Sequence, residues 1–353
     1  MKLAASLKCS WVLAVLLSCS SRRVITVDGL RTPSRKNLPL RQWTSQPSNH
    51  LSYQSRPKRR WPQRRFDSTV HQLSRSSSSL AETGEVFDVV DSPRGGAQPP
   101  SASPTVYQEL AAECFGTFLI VQIGTASVMS SIFTGSLTGG LLPIALLWGF
   151  AVTLAILCTG PISGAHLNPA ISLALTCWRG FQPRKLVPYV LAQVSGAVLG
   201  AAVNLGLYSS AIQSYESSHK LVRATSVASA KAFGEYFDCS IATAWGTEAL
   251  GTAVLAAAIF ALTHPRRSGK DAPGVPIPVT VGATVGTLIC ILAPITQCGL
   301  NPARDWGPRI VAYLGGWTTV AWRHWWVYVT APLVGAVCGG WIVDKLLYRE
   351  ASV

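Results

Sequence analysis

The sequence contains little charge. Only 13% of its 353 residues are Asp, Glu, Lys or Arg, which is roughly half the share found in an ordinary soluble domain. The shortage is concentrated in residues 114–178, 186–215 and 272–303, which contain none of these four residue types. Uncharged stretches of this length cannot form a water-exposed surface. A soluble enzyme is therefore excluded, and a polytopic helical membrane protein is predicted.

The N-terminal segment is basic. Residues 1–79 contain fifteen Lys or Arg and only two Asp, so they carry nearly all of the formal net charge of +14. The rest of the chain is close to neutral, which argues against a nucleic-acid partner. The nine cysteines show no CxxC pair and no metal-ligand spacing, and most lie in apolar segments where cysteine acts as a small hydrophobic residue. We expect no metal and no cofactor.

Residues 1–105 predict targeting rather than a folded domain. Two lysines, a short apolar run and small residues make residues 1–21 resemble a secretory signal peptide, and the Arg- and Ser-rich segment 22–79 resembles an organellar transit peptide. Residues 80–105 are acidic and then proline-rich, which is typical of a linker. Together they resemble the two-part leaders of proteins sent to plastids bounded by extra membranes. The alternative is a disordered basic tail on anionic lipid, with the protein in the plasma membrane or another endomembrane.

The remaining residues, 106–353, contain six apolar segments long enough to span a bilayer and two that are about half as long. The two short segments begin at Asn168 and Asn301. Irregular backbone at membrane depth is tolerated only where protein encloses it or where it lines a cavity, so two half-spans predict a cavity. The six full spans are placed near 107–131, 141–162, 186–208, 241–262, 276–296 and 325–347.

Three short motifs occur twice, in the same order, at offsets of 133 to 139 residues. Glu113–Thr117 matches Glu248–Thr252, Leu167–Ala170 matches Leu300–Ala303, and Ala192–Gly200 matches Ala331–Gly339. The two repeats cover about 107–208 and about 241–347, each with three spans and one half-span. Because each repeat has an odd number of spans, the second repeat enters the membrane from the opposite side. The two repeats are therefore inverted relative to each other, and the pore is expected between them.

Charge in the loops predicts the orientation of the chain. The loops at 179–185 and 266–270 are basic, whereas acids and bases balance in the loop at 216–238. By the positive-inside rule, the two basic loops and both termini face the cytoplasm or its organellar equivalent. Four tryptophans near the last span are interpreted as an interfacial belt, namely Trp317, Trp322, Trp325 and Trp326.

Two loops carry a family resemblance. Ser163-Gly-Ala-His-Leu-Asn-Pro-Ala170 and Gly299-Leu-Asn-Pro-Ala-Arg-Asp-Trp-Gly-Pro-Arg309 resemble the two signature loops of the major intrinsic proteins, the aquaporins and aquaglyceroporins. This resemblance implies an all-α membrane protein with six transmembrane helices and two half-helices in an inverted repeat. It also implies a passive channel rather than an enzyme, water and small neutral solutes such as glycerol as permeants, a lipid environment, and assembly as a homotetramer.

The motifs Asn168-Pro169-Ala170 and Asn301-Pro302-Ala303 have a physical explanation. Asparagine favours the N-cap and proline the first position of a helix, so each motif begins a short helix. Two inverted half-helices meeting N-terminus to N-terminus create a positive potential that repels cations and protons. If the two Asn amides point into the pore, they also donate hydrogen bonds to a passing oxygen.

Four residues are predicted to form the selectivity constriction. Arg304 is a permanent charge in the first turn of the second half-helix, and such a charge at membrane depth is by default functional. By resemblance it lies at the outer constriction with Trp148, Cys298 and Ile289. The alternative for Trp148 is a role in lipid or core packing.

The solute class is predicted from further residues. Asp305, Arg309, Tyr328 and Val329, together with Trp148, resemble the glycerol-conducting branch of the family. Cys298 departs from that branch, in which an aromatic residue is usual, and resembles the water-selective members. Glycerol with water is the favoured permeant, and a water-selective aquaporin is the alternative.

Three buried polar residues are predicted to support the loops. Glu113 and Glu248 occupy equivalent positions in the two repeats, which favours hydrogen bonding to each repeat's broken backbone over a role in proton coupling. His166 is expected to brace the first loop. An ion-coupled secondary transporter is a second hypothesis, because transporters also use inverted repeats and broken helices. A structural membrane protein with little flux is a third.

Overall fold

The computed structural model describes residues 103–267, 274 and 276–349. The predicted signal segment 1–21, the transit-like segment 22–79 and almost all of the linker 80–105 lie outside the described residues. The described part begins at the capped start of the first helix, where the Thr105 side chain accepts a hydrogen bond from the Gln108 backbone N–H.

Eight principal helices make up the described part. The first and the last of them continue into a final π-helical turn, Ser130–Thr134 and Ile342–Leu347 respectively. In chain order the helices are α1 Val106–Met129, α2 Leu141–Ser163, α3 Pro169–Trp178, α4 Pro183–Ser218, α5 Ile241–Leu262, α6 Ile277–Thr296, α7 Pro302–Leu314 and α8 Val327–Trp341.

Six of these helices, all except α3 and α7, are long and apolar enough to cross a membrane. This confirms the predicted number of spans. Helix α4 is the one that differs most from its predicted range of 186–208, because it continues to Ser218. Its last turns lie beyond the apolar segment but are held by tertiary contacts. Ile212 is fully buried, and Glu216 accepts a hydrogen bond from the Ser229 hydroxyl at 2.8 Å.

Small residues allow the helices of each repeat to pack closely. A Cβ atom at Gly196 of α4 would lie 1.9 Å from the backbone oxygen of Cys114 in α1, and one at Gly335 of α8 would lie 2.1 Å from that of Ala249 in α5. These two glycines are equivalent in the repeat. The repeats meet each other where Gly149 of α2 and Gly282 of α6 lie against each other's carbonyl groups. Such backbone approach is how helices associate in a bilayer.

The half-helices α3 and α7 begin at the two asparagines. Each Asn side-chain oxygen accepts a hydrogen bond from the alanine two residues later, at 2.9 Å in α3 and 3.0 Å in α7. The two N-termini also face each other. The Asn168 amide donates to the Leu300 carbonyl at 3.0 Å, and the Asn301 amide donates to the Leu167 carbonyl at 2.8 Å. The predicted inverted arrangement of two half-helices is thereby confirmed.

The interpretation of the four tryptophans as an interfacial belt is wrong for Trp317. Its side chain is fully buried, and its indole N–H donates to the Ser229 hydroxyl at 2.9 Å. Trp317 therefore belongs to the core under the loop between α4 and α5, whereas Trp326 is exposed as a belt residue requires.

Candidate functional site

Two cavities lie in succession along the interface between the repeats. The wider one, which we call the vestibule, has a volume of about 720 Å³. The narrower one, the pore cavity, has a volume of about 80 Å³ and reaches both Asn-Pro-Ala motifs. Three side chains line both cavities, namely Trp148, Ile289 and Arg304. The junction between the vestibule and the pore cavity is therefore lined by these three residues.

The other predicted pore residues lie deeper. Cys298, Asn168, Asn301 and His166 line the pore cavity. Cys298 is 2% exposed, so it is reached only from within the pore cavity. The structure thus brings all four residues of the predicted constriction together, with Cys298 on the inner side.

Arg304 is enclosed by two partners. Its guanidinium carbon lies 4.0 Å from the centre of the Trp148 ring, and its guanidinium group forms an ion pair with the Glu235 carboxylate. The side chain is almost fully buried. A guanidinium has five N–H donors, so these contacts leave donors that can serve a solute oxygen.

The position of Trp148 depends on a glycine in α1. A Cβ atom at Gly124 would lie 2.3 Å from two ring carbons of Trp148. Only hydrogen at this position leaves room for the indole. Gly124 therefore sets how far the ring extends towards Arg304.

The two asparagines have donors to spare. Each amide group carries two N–H bonds. One of them donates to a backbone carbonyl in the loop of the other repeat, as described above. Because both side chains line the pore cavity, the second N–H of each is available to a molecule inside it.

Glu113 and Glu248 hold the two loops in place. The Glu113 carboxylate accepts hydrogen bonds from the backbone N–H groups of His166 and Leu167, at 2.9 and 2.7 Å. Glu248 accepts from Gly299 and Leu300, at 3.0 and 2.8 Å. Gln193, whose role no sequence motif indicated, also donates to Glu113 at 2.7 Å.

These hydrogen bonds orient the loop carbonyl groups. In a trans peptide the C=O points away from the N–H of the same unit, and the described residues contain no cis peptide bond. The carbonyls of Ala165 and His166 therefore point away from Glu113, on the side of the pore cavity that these residues line. Ala165 and Leu167 adopt positive φ angles of 49° and 51°, strain that the carboxylate helps to offset.

His166 is packed as a brace as well as lining the pore cavity. Its Nδ1 lies 3.1 Å from the Ser172 hydroxyl, and its ring lies 4.5 Å from that of Phe181 and 5.1 Å from that of Tyr189, measured between ring centres. These contacts attach the first loop to α3 and α4.

The four residues predicted to indicate the solute class line neither of the two cavities. Asp305 and Arg309 form a fully buried ion pair at 2.7 Å. The Tyr328 hydroxyl donates to the Thr296 carbonyl at 3.0 Å. Val329 faces a separate apolar cavity of about 280 Å³ beside the half-helices. Their contacts are with the scaffold behind the pore.

The loop between α4 and α5 takes part in the site, which no sequence motif indicated. Asp305 accepts a hydrogen bond from the Glu235 backbone N–H at 2.8 Å, and Gln297 accepts one from the Tyr236 backbone N–H at 2.9 Å. Arg309 donates to the Glu235 carbonyl. The loop is therefore folded over the vestibule, and this position brings Glu235 to Arg304. Burial raises the pKa of Tyr236 to about 12, while nearby Arg309 opposes the rise, so Tyr236 stays neutral.

Comparison with known proteins identifies the family. The pattern described as "Major intrinsic protein" matches residues 101–343. The chain belongs to the major intrinsic protein family. It is a multi-pass integral membrane protein, and membership of this family of channels confirms the prediction that it is not an enzyme. Among the described residues, no three His, Cys, Asp or Glu side chains are grouped so as to hold a metal ion.

Several relatives of this major intrinsic protein are known. It is 36% identical to the glycerol uptake facilitator protein of Pseudomonas aeruginosa, over 70% of this chain and 91% of that protein. It is also 36% identical to the propanediol uptake facilitator PduF of Citrobacter freundii, over 68% of this chain and 91% of that protein. The crystal structure of the aquaglyceroporin from Plasmodium falciparum has 27% sequence identity and a TM-score of 0.60, over 69% of this chain and 97% of that one.

Proposed function

We propose that this protein is a passive channel for glycerol and similarly small neutral solutes, and that water passes as well. The observation that carries the proposal is the constriction between the two cavities. Its apolar part is made by Trp148 and Ile289, and the charged donor Arg304 lies beside them with its guanidinium over the indole ring. The relatives that are named glycerol and propanediol uptake facilitators support the same solute class.

The constriction matches the chemistry of a short polyol. Such a molecule presents CH groups along one side and hydroxyl groups along the other. The indole and the Ile289 side chain can cover the CH groups, while Arg304 donates to hydroxyl oxygens. Deeper in the pore cavity, Asn168 and Asn301 continue the line of donors, and the loop carbonyls supply acceptors for hydroxyl hydrogens. A solute thus replaces its lost water hydrogen bonds at each step.

Exclusion of ions follows from the same residues. The positive ends of two half-helices meet at the asparagines, and the Arg304 charge lies at the constriction. A cation entering the pore cavity meets both positive fields after losing its water shell. A water molecule that accepts from both Asn amides is also oriented against relaying a proton.

The engaged carboxylates favour a channel over an ion-coupled transporter. Glu113 accepts four hydrogen bonds, the other two coming from the Ser163 hydroxyl and the Gln193 amide, at 2.6 and 2.7 Å. Glu248 accepts three. Carboxylates with this number of fixed donors act as loop anchors and are poorly suited to bind and release a coupling ion.

Proteoliposomes test the proposed permeant. Vesicles containing the full chain should take up glycerol well above empty vesicles, with low activation energy, no saturation and no dependence on an ion gradient. The double variant Trp148→His with Ile289→His should lower glycerol uptake by making the constriction polar on both faces. Water permeation with glycerol uptake equal to that of empty vesicles would instead indicate a water-selective channel. Saturable, ion-dependent uptake would indicate a transporter.

We also propose that the protein assembles as a homotetramer with a pore in each subunit. Large apolar side chains exposed on the spans, such as Leu146, Phe150 and Ile291, at 62%, 59% and 61% exposure, provide surface for contact with other subunits or lipid. The mass of the detergent-solubilised protein, measured by light scattering, tests this proposal, and a monomer mass would contradict it.

The N-terminal extension is proposed to be a two-part leader that directs the protein to a plastid-type organelle. The composition of residues 1–21 and 22–79 supports this, and the match to the family begins only at residue 101. A fluorescent reporter that carries residues 1–105 should reach the organelle, whereas a reporter with residues 22–105 should not enter the secretory pathway. Plasma-membrane labelling of the full chain would contradict the proposal.

A further inference from the structure

A basic pocket lies at the end of the molecule where α3, α5 and α8 terminate, away from the vestibule and the pore cavity. Its volume is about 750 Å³. The side chains that matter for its chemistry are four cations and two tryptophans, namely Arg179, Arg266, Lys345, Arg349, Trp178 and Trp341. The half-helix α3 and two membrane spans contribute to it, so its floor is part of the rigid helical body.

The pocket has an excess of positive charge. Asp344 is the one anionic residue among the described residues that line it, and it is already engaged, because it accepts two hydrogen bonds from Arg179 at 2.5 and 2.7 Å. The other three cations, Arg266, Lys345 and Arg349, form no ion pair with any residue in the described part of the chain. Three cations without an ion-pair partner among the described residues favour an anionic ligand at this pocket, and phosphate is an anion that Arg and Lys bind well.

Contacts between the walls hold these cations together. The His264 ring stacks on the Tyr348 ring with 3.9 Å between ring centres, and His264 Nδ1 accepts a hydrogen bond from the Arg266 backbone N–H at 3.2 Å. The stack connects the segment that carries Arg266 to the segment that carries Lys345 and Arg349. Less conformational freedom is therefore lost when an anion binds between them.

The surroundings of the pocket indicate where the ligand comes from. The pocket lies at the ends of two helices long and apolar enough to span a bilayer, on the side of the basic loops, and the ends of such spans lie near lipid head groups. Trp341 is 45% exposed beside the pocket, and Ile342 and Leu346 continue an exposed apolar surface along the last span, at 38% and 62%. Tryptophan at this height is typical of contact with the lipid interface.

We propose that this pocket binds the phosphate of an anionic glycerophospholipid, whose acyl chains lie along the exposed apolar side chains at the end of the last span. The site is separate from the proposed permeation path, and its ligand is a resident lipid of the surrounding bilayer. Basic pockets between transmembrane helices recognise anionic head groups through this combination of charge and apolar contact.

Native mass spectrometry of the full chain in detergent tests the proposal. Phosphatidylglycerol and phosphatidylcholine with the same acyl chains are titrated separately, and bound lipids are counted by mass. Phosphatidylglycerol should bind with higher affinity. The double variant Arg266→Gln with Lys345→Gln should weaken its binding on the order of thirtyfold and leave phosphatidylcholine unaffected. Arg184→Gln is the matched control, because Arg184 is an exposed cation at the same end but outside the pocket, and it should change neither.

Three results would overturn the proposal. Equal binding of the two lipids by the unaltered protein would remove the charge preference, and unchanged phosphatidylglycerol binding by the double variant would place the lipid elsewhere. Displacement of the lipid by millimolar inorganic phosphate would show that the pocket takes a soluble phosphate. If the double variant does not fold, the single variant Arg349→Gln provides the test. Its binding of phosphatidylglycerol should be roughly fivefold weaker, and unchanged binding would contradict the site.

Discussion

Arg304 and Trp148 are stacked where the vestibule meets the pore cavity, with the guanidinium carbon 4.0 Å from the centre of the indole ring. The pair joins the two repeats, because Trp148 belongs to α2 and Arg304 to α7. The Arg304 charge and the Trp148 ring are thus positioned by their contact with each other. A change to either residue should alter both the size and the polarity of the opening.

Removing the charge should make the pore permeable to protons or cations. Arg304→Val deletes the positive field at the constriction and leaves Glu235 without its ion-pair partner, so cations lose a barrier and gain a local attraction. Reconstituted vesicles with a pH-sensitive dye should show proton leak above background. Arg323→Val, an exposed arginine outside both cavities, is the control. Background leak with intact water flux in Arg304→Val would contradict the assignment.

Gly124 should control solute size through Trp148. Gly124→Ala places a methyl group where the indole lies, so the ring must move into the constriction. Glycerol permeability should fall roughly tenfold relative to that of water, which corresponds to about 1.4 kcal/mol of overpacking. Gly206→Ala in α4, where a Cβ atom would meet nothing within 4 Å, should leave the ratio unchanged. An unaltered ratio in Gly124→Ala would mean that the indole does not limit passage.

Cys298 should make the channel sensitive to mercurials. Its side chain lines the pore cavity, so a bound mercury ion would obstruct it. Swelling assays should show inhibition of the unaltered protein and protection in Cys298→Ser. Cys290→Ser, which replaces an exposed cysteine of α6 outside both cavities, should stay sensitive. Full inhibition that persists in Cys298→Ser would place the reactive thiol elsewhere.

Glu248 should contribute more to stability than to transport. Glu248→Gln replaces an acceptor of two backbone N–H groups by an amide that offers one oxygen, so at least one loop N–H loses its partner. The free energy of unfolding should fall by about 2–3 kcal/mol, measured as a lower thermal midpoint in detergent. Glu109→Gln, which removes a peripheral ion pair with Lys185, should cost about 1 kcal/mol or less. Comparable losses in the two variants would contradict the anchoring role.

The parts of the fold that depend on local chemistry could be predicted from the sequence. Asparagine followed by proline determines where a half-helix starts, and span length follows from bilayer thickness. These positions need no knowledge of distant contacts.

The parts that depend on distant contacts could not be predicted. Glu235 lies in the loop that joins the repeats, so no equivalent residue exists to reveal it. Its place beside Arg304 results from hydrogen bonds to Asp305 and Arg309, far along the chain. Trp317 is likewise a tryptophan near the end of a span, as an interfacial belt residue would be. The loop that carries Ser229 nevertheless covers it. In both cases the position depends on how the loop between α4 and α5 folds, which the sequence alone does not indicate.

The crossed hydrogen bonds of the two asparagines have a consequence for biosynthesis. Asn168 and its acceptor Leu300 are 132 residues apart, so at the usual speed of translation the first loop waits roughly 7 to 25 seconds for its partner. During that interval Glu113 and Gln193 are the side chains that can keep the nascent loop in its strained conformation. A ribosome that stalls before Leu300 would leave in the membrane a first half whose Asn168 amide lacks its acceptor.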